Sequence, residues 1–310
     1  MGERALGQAC VLPQRPLSHY LYSLNHNLRA RLLRQRRPLL AGVKLTHRCN
    51  LRYPACPFWR RPAPDIGYVQ ALAALDALHA AGVRLVIFEG GEPLLWRDGE
   101  HTVEDLVRVA RTRFFAVGIT TNGTLPLTTS ADMVWVSIDG PREVHDAYRG
   151  PSYDRIMANI AASGHRRVMA NVTINRLNCA RIPELLRDLT GRVRGVTIQF
   201  AYPYGDGEDL TVDPEARRRV LDELVALKRA GYPLLDSYGA LRRLKGNTWR
   251  CHDWLIANVE PDGRINLGCY LKGRGAVDCR KCGFAAHAEL SRAFDWDPAA
   301  ILCGRAVFGF

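Results

Sequence analysis

From Leu39 onward, short apolar runs alternate with longer amphipathic stretches, and this alternation constrains the fold more than any figure of composition. Runs bounded by turn residues read as strands at 39–46, 83–89, 114–121, 133–139, 166–174 and 195–202. Stretches with helical period lie between or after them, at 66–81, 102–112, 153–163, 178–190 and 214–230. In the first of these, Val69, Leu72, Leu75 and Leu78 form one stripe. The linker from Leu125 to Asp132 is too short and Pro-broken for a good helix. Strands alternating with helices build parallel βαβ units with right-handed crossovers. The predicted class is α/β, with six such units curled into a barrel or partial barrel. No internal repeat is obvious.

The flanks read differently. Residues 1–16 look irregular, with Pro13 and Pro16 as breakers. Residues 17–36 read as an amphipathic helix, with Ser18 able to cap it. Leu17, Leu21, Leu24, Leu28 and Leu32 recur at spacings of three and four, and Arg residues load its C-terminal end. Such a helix either packs across the barrel or lies on an anionic membrane. After about residue 232 the pattern becomes Gly-rich and Cys-rich. Short strands are expected at 255–260 and 264–268, around a Pro261-Asp262-Gly263 turn. A helix at about 284–294 and then irregular chain are expected to end it. The predicted division is a basic N-terminal segment (1–38), a barrel (39–232) and a small C-terminal Cys-rich domain (233–310).

At 310 residues the chain is long enough for one barrel-sized core plus an appendage. Its net charge of +12 fits a basic soluble surface, an anionic substrate, an anionic membrane or a nucleic acid. No run of 18 apolar residues occurs and the first residues do not form a signal peptide, so a cytoplasmic protein, with peripheral membrane contact through residues 17–37 as an option, is expected. In that setting nine Cys argue for metal binding over disulfides. Six of them fall in two groups with ligand-like spacing. Cys10, Cys179 and Cys303 stand apart and read as small buried or surface residues.

The first group is Cys49 and Cys56, on a loop directly after the first strand. The second strand ends in Gly90-Gly91-Glu92-Pro93, where paired glycines permit close backbone approach and Glu92 offers an anion. Asn122 follows the third strand, Ser137 and Asp139 follow the fourth, and Asn171 to Asn175 and Gln199 lie on the fifth and sixth. The C-terminal ends of parallel strands are where barrels place ligand contacts. For His145 and Tyr148 a ligand contact and a surface helix turn fit equally well. The second Cys group is Cys251, Cys269, Cys279 and Cys282, a hairpin plus a CxxC knuckle; on spacing alone zinc and an iron–sulfur cluster both fit.

Residues 43–60 resemble the cluster loop of the radical S-adenosylmethionine (SAM) enzymes. That family spaces three Cys as CxxxCxxC to bind three irons of a [4Fe–4S] cluster. Here Cys49 and Cys56 take the first and third positions and Tyr53 takes the middle one. Gly90 to Pro93 resemble the family's GGEP motif, which binds the amino group of SAM. The resemblance also implies that Ser137 touches SAM, that Asn122 lies near the substrate side, and that the barrel is a partial TIM-like (β/α)6 barrel. The C-terminal Cys wording is similar to the SPASM or twitch extensions of the same family, which implies an auxiliary [4Fe–4S] cluster on Cys251, Cys269, Cys279 and Cys282.

By resemblance the chain is an enzyme that reductively cleaves SAM and modifies a substrate with the resulting radical. Cys49, Tyr53 and Cys56 sit at its centre, and a reducing partner such as flavodoxin or ferredoxin is implied. The substrate, whether peptide, lipid-linked or small molecule, is not readable, with a lean to peptide or protein maturation. Tyr53 leaves four readings open: a degenerate member, direct ligation by the phenol, substitution by Cys10 or His47, or a variant of a three-Cys loop. A pseudoenzyme scaffold or electron carrier, and a basic zinc-binding nucleic-acid protein, stand as alternatives; nucleic acid is the least expected partner.

Overall fold

The structure, a computed structural model, describes residues 17–309. The readings of residues 1–16, Cys10 among them, lie outside the described residues.

Six strands pair in sequence order and all in parallel: β1 (Leu40–Lys44), β2 (Leu85–Glu89), β3 (Ala116–Thr121), β4 (Met133–Ser137), β5 (Val168–Ile174) and β6 (Gly195–Phe200). The helices expected between them form as α2 (Tyr68–Ala81), α3 (Val103–Arg111), α5 (Tyr153–Ala162), α6 (Ile182–Asp188) and α7 (Pro214–Arg229), and the β3–β4 linker carries none. The predicted α/β partial barrel is the observed one. Register fixes what each strand shows. Ala41 and Val43 point out to the helices and are fully buried, whereas Leu40, Gly42 and Lys44 point into the barrel. Leu75 and Leu78 of α2 pack with Val86 and Phe88 in one half of the core, and Leu221 and Leu224 of α7 pack with Val172 and Ile198 in the other.

The sequence missed several elements. A short α4 (Arg142–Arg149) precedes α5 and buries His145 and Tyr148, which removes the surface-turn option for both. Another, α8 (Tyr238–Leu244), is capped by Ser237. The expected hairpin forms as β7 (Ile256–Val259) and β8 (Ile265–Leu267), antiparallel across Pro261-Asp262-Gly263, with Gly263 at φ +81°. It joins the barrel sheet: β7 runs parallel to β1, with Leu40 opposite Ile256 and Val43 opposite Val259. The C-terminal stretch forms α9 (Ala285–Phe294) and, where irregular chain was expected, α10 (Pro298–Phe308). Asp297 caps α10, its side chain accepting from the backbone N–H groups of Ala299 and Ala300, with Pro298 in the first turn.

The N-terminal helix forms as α1 (Ser18–Leu32), but Leu17 holds the cap position and Ser18 makes no capping bond. Its orientation goes against the reading in which the leucine stripe packs across the barrel. The buried residues are His26 and Asn27, and the leucines face solvent. In α2, similarly, Val69 points out and Ala71, Ala74, Leu75 and Leu78 point in. Among the described residues no helix is long and apolar enough to cross a membrane.

Candidate functional site

The barrel encloses a cavity of roughly 850 Å³ that runs from the loops at the C-terminal strand ends to the helices closing the other end. Cys49, Tyr53 and Cys56 of the loop after β1 line it together with Gly90, Gly91, Asn122 and Ser137. Asn171, Thr173, Thr197 and Gln199 add a neutral polar wall. Toward the other end Leu85, Ile87, Phe115 and Trp135 share the lining with the acids Asp236 and Glu289.

The Gly pair packs the chain against itself. A Cβ on Gly90 would stand 2.7 Å from the Thr46 carbonyl oxygen, and one on Gly91 would stand 2.2 Å from that of Arg48. In return, the backbone N–H of Gly91 donates to the Thr46 carbonyl (2.7 Å) and that of Glu92 donates to the Arg48 carbonyl (2.8 Å). Glycine is required here because two backbones meet. Glu92 and Pro93 are buried behind the cavity wall instead of lining it. The Glu92 carboxylate accepts from Thr121 Oγ1 (2.7 Å), the backbone N–H of Asn122 (2.7 Å) and that of Leu94 (3.0 Å). Burial outweighs these donors and pushes its pKa up to about 7. Glu92 therefore pins the β3 end to the loop, and that pin orients Asn122. The Asn122 amide donates to Asn50 Oδ1 (2.8 Å) and reaches Cys49 Sγ at 3.7 Å, while the backbone N–H of Leu51 donates to the same sulfur at 3.4 Å.

Tyr53 is held on two sides. Its ring lies 5.1 Å from that of Tyr148, and the Arg149 guanidinium carbon sits 4.5 Å above it. Arg149 Nε donates to Asp139 Oδ2 at 2.6 Å, and Asp139 Oδ1 accepts from the backbone N–H of Thr173 at 2.8 Å. Burial raises the Tyr53 phenol well above its ordinary value, with Arg149 opposing. Burial likewise raises the Cys49 thiol. His47, a possible substitute ligand by sequence, bonds the Arg61 carbonyl and is not part of the cavity lining.

Sequence reasoning missed a charged cluster on the opposite wall. Lys44 is fully buried, 3.2 Å from Glu89 Oε1 and 3.3 Å from the Tyr270 hydroxyl, with its ammonium 4.1 Å over the Phe58 ring. Arg274 pairs with both Glu89 (3.3 Å) and Glu260 (2.6 Å). Burial lowers the Lys44 pKa, with Glu89 opposing. Burial also pushes Glu89 up, but Lys44 and Arg274 more than offset this and hold it below the usual carboxylate range. A lone Lys in an apolar run was the signal available.

The structure brings Cys251, Cys269, Cys279 and Cys282 into one region beside Tyr202 and Phe284. Burial, reinforced by neighbouring thiols of the group, pushes Cys251 and Cys282 up to about 11. Among the described residues, no three His, Cys, Asp or Glu side chains are gathered closely enough to form a metal-ion group.

At the loop, the donor set fits an iron–sulfur group at two of its three positions. Cys49 receives N–H groups as a thiolate would, and Cys56 shares its cavity wall; Tyr53 brings a protonated oxygen.

Known proteins give the following comparisons. The family model described as the Radical SAM superfamily matches residues 43–189. The pre-heme d1 synthase of Dinoroseobacter shibae is 30% identical over 231 residues, covering 68% of this chain and 56% of the relative. The Fe-coproporphyrin III synthase of Methanosarcina barkeri is 29% identical over 274 residues, covering 75% of this chain and 66% of the relative. The chain thus spans less than two thirds of either relative's length. Among solved structures, Streptococcus suis SuiB bound to its precursor peptide SuiA superposes with a TM-score of 0.62 at 14% identity, covering 100% of this chain and 74% of that one. The structure of anSMEcpe with AdoMet and the Cp18Cys peptide gives a TM-score of 0.57 at 14% identity, covering 85% and 81%.

Proposed function

Because residues 43–189 are a radical SAM superfamily domain, we propose that this chain is an enzyme that reductively cleaves SAM to a 5′-deoxyadenosyl radical and modifies a substrate inside the barrel. The observation that carries this reading is the convergence of Cys49, Cys56, Gly90, Gly91, Asn122 and Ser137 on one cavity at the C-terminal strand ends. Cys49 and Cys56 would hold the iron–sulfur group, whose chemistry when bound is one-electron reduction of SAM. The chain's own part is positional. Asn122 and the Leu51 amide face the Cys49 sulfur, Glu92 fixes Asn122 from behind, and Arg149 and Tyr148 clamp Tyr53. Cys251, Cys269, Cys279 and Cys282 are proposed to hold an auxiliary [4Fe–4S] cluster.

For substrate we take peptide or protein maturation first, supported by the peptides held by SuiB and anSMEcpe. A tetrapyrrole is the second reading. It is favoured by Leu85, Ile87, Phe115 and Trp135 in the lower half of the cavity and by the names of the two curated relatives.

The test is iron and sulfide content after anaerobic reconstitution, with 5′-deoxyadenosine assayed, on the native chain and on Tyr53→Cys. About eight irons per native chain with SAM cleavage supports the proposal as it stands. About four irons and no cleavage in the native chain, with both restored in Tyr53→Cys, makes this a family architecture disabled at one residue. No iron in either protein sinks the reading.

A further inference from the structure

The face that α1 shows to water is its apolar one. Leu17, Leu21, Leu24, Leu28 and Leu32 are 44–74% exposed. The opposite face anchors the helix. His26 Nε2 pairs with the Arg37 carbonyl (2.8 Å), Asn27 Nδ2 donates to the Phe294 carbonyl (2.8 Å), and the Tyr22 hydroxyl donates to the Gly82 carbonyl (2.6 Å). The His19 ring stacks on Phe115 at 3.8 Å. These contacts fix the rotation of the helix, so the leucines cannot turn inward. A row of leucines in water is unfavourable until something apolar covers it.

The charge of the stretch itself is of one sign, although Arg31 pairs with Asp295 of the α9–α10 turn (3.2 Å). Residues 17–37 contain no Asp or Glu and five Arg, of which Arg34, Arg36 and Arg37 are exposed just past the helix end. The neighbouring corner between α9 and α10 adds exposed Trp296, Ile301 and Leu302. Tyr20 and Leu24 of α1, with Trp296 and Ile301, also line the lower end of the barrel cavity. An apolar stripe with Trp beside it and arginines at its end is the pattern of a helix lying at a lipid interface. A second copy is the poorer occupant, because a self-complementary contact would set Arg34, Arg36 and Arg37 of the two copies near each other, and the acids of the corner, Asp295 and Asp297, already pair with Arg31 and Arg292.

We propose that α1 and the α9–α10 corner dock on the surface of an anionic lipid bilayer. The leucines and Trp296 enter the acyl boundary, and Arg34, Arg36 and Arg37 face the headgroups. The proposal does not depend on the chemistry at the far end of the barrel.

The test is sedimentation of the full chain with vesicles. The chain pellets with vesicles of equimolar phosphatidylcholine and phosphatidylglycerol, does not pellet with phosphatidylcholine alone, and is released as salt rises. The Leu21→Glu/Leu28→Glu pair lowers partitioning roughly tenfold or more, and Arg34→Ala/Arg36→Ala lowers it about thirtyfold at low salt. All four side chains are exposed, and an unchanged melting temperature verifies folding of both variants. The proposal fails if the native chain stays in solution with anionic vesicles, or if the leucine pair pellets equally. It also fails if light scattering shows a dimer that the leucine pair splits, since the face then belongs to a second copy.

Discussion

Replacing Arg149 by Met removes the cation that ties Tyr53 to the β4 end. Both partners of the Arg149–Asp139 pair are almost wholly shielded from water. The substitution keeps the side-chain volume but strands the Asp139 carboxylate, which then retains only the Thr173 N–H as partner. Breaking a buried pair from one side costs about 3–5 kcal/mol. Loss of the guanidinium over the Tyr53 ring adds about 1 kcal/mol, for a total of about 4–6 kcal/mol. At an unfolding entropy of about 2.1 cal/mol/K per residue, a 310-residue chain changes its melting temperature by about 1.5 °C per kcal/mol. Arg149→Met should therefore melt about 6–9 °C lower by circular dichroism. The control is Asp139→Asn combined with Arg149→Met, which removes the stranded charge and should recover at least half of the loss. A drop below about 2 °C in the single variant, or a double variant worse than the single, would refute the account of a buried charge pair.

Glu92→Gln should remove one pH-dependent component of stability. The native carboxyl is raised from 4.5 to about 7, so its neutral form is favoured in the fold. Its contribution is full below about pH 4.5 and lost as pH rises through 7, a change of about 3 kcal/mol. Urea midpoints at about pH 5 and about pH 8 should differ more for the native chain than for Glu92→Gln, and equal differences would overturn this. Gly91→Ala should lower stability by more than about 2 kcal/mol, because its methyl meets the Arg48 carbonyl. Gly164→Ala, with open space at its Cβ, should leave the melting curve within error. Lys44→Met leaves Glu89 with Arg274 as its one remaining cation. A loss of about 2–4 kcal/mol in denaturant unfolding is expected, and a neutral result would mean that water reaches the cluster.

The parallel barrel was legible because buried parallel strands are short apolar runs and their crossover helices carry a 3.6-residue period. Both patterns are local. What was not legible depends on partners far off in sequence. The leucine period of α1 announces an apolar stripe but not its direction. Direction is decided by Asn27 meeting Phe294 and Tyr22 meeting Gly82, contacts no local window contains. Helix α4 hid because it is only eight residues long, and Val144, Ala147 and Tyr148 make a stripe too short to stand out in the sequence. Helix α10 carried a readable start in Asp297-Pro298. At the site, Cys49, Cys56, Gly90, Gly91, Asn122 and Ser137 line one cavity. Glu92 turned inward because three donors from the β3 end and its own turn converge on it. Lys44 escaped notice because one charge in a strand is read as facing solvent, and only the pairing of β1 with β2 shows that it lies beside Glu89.

Strand β1 is flanked by β2 on one side and by β7 on the other, and β7 lies near the far end of the chain. During synthesis at about 5–20 residues per second, Leu40 waits about 10–40 s for Ile256 to emerge. Over that interval β1, which leads into the loop bearing Cys49 and Cys56, has one edge with no strand beside it. An open edge is where nascent chains pair wrongly with one another. Each unfinished chain therefore holds the loop of Cys49 and Cys56 beside an unpaired strand edge, and the β7–β8 hairpin is what covers it.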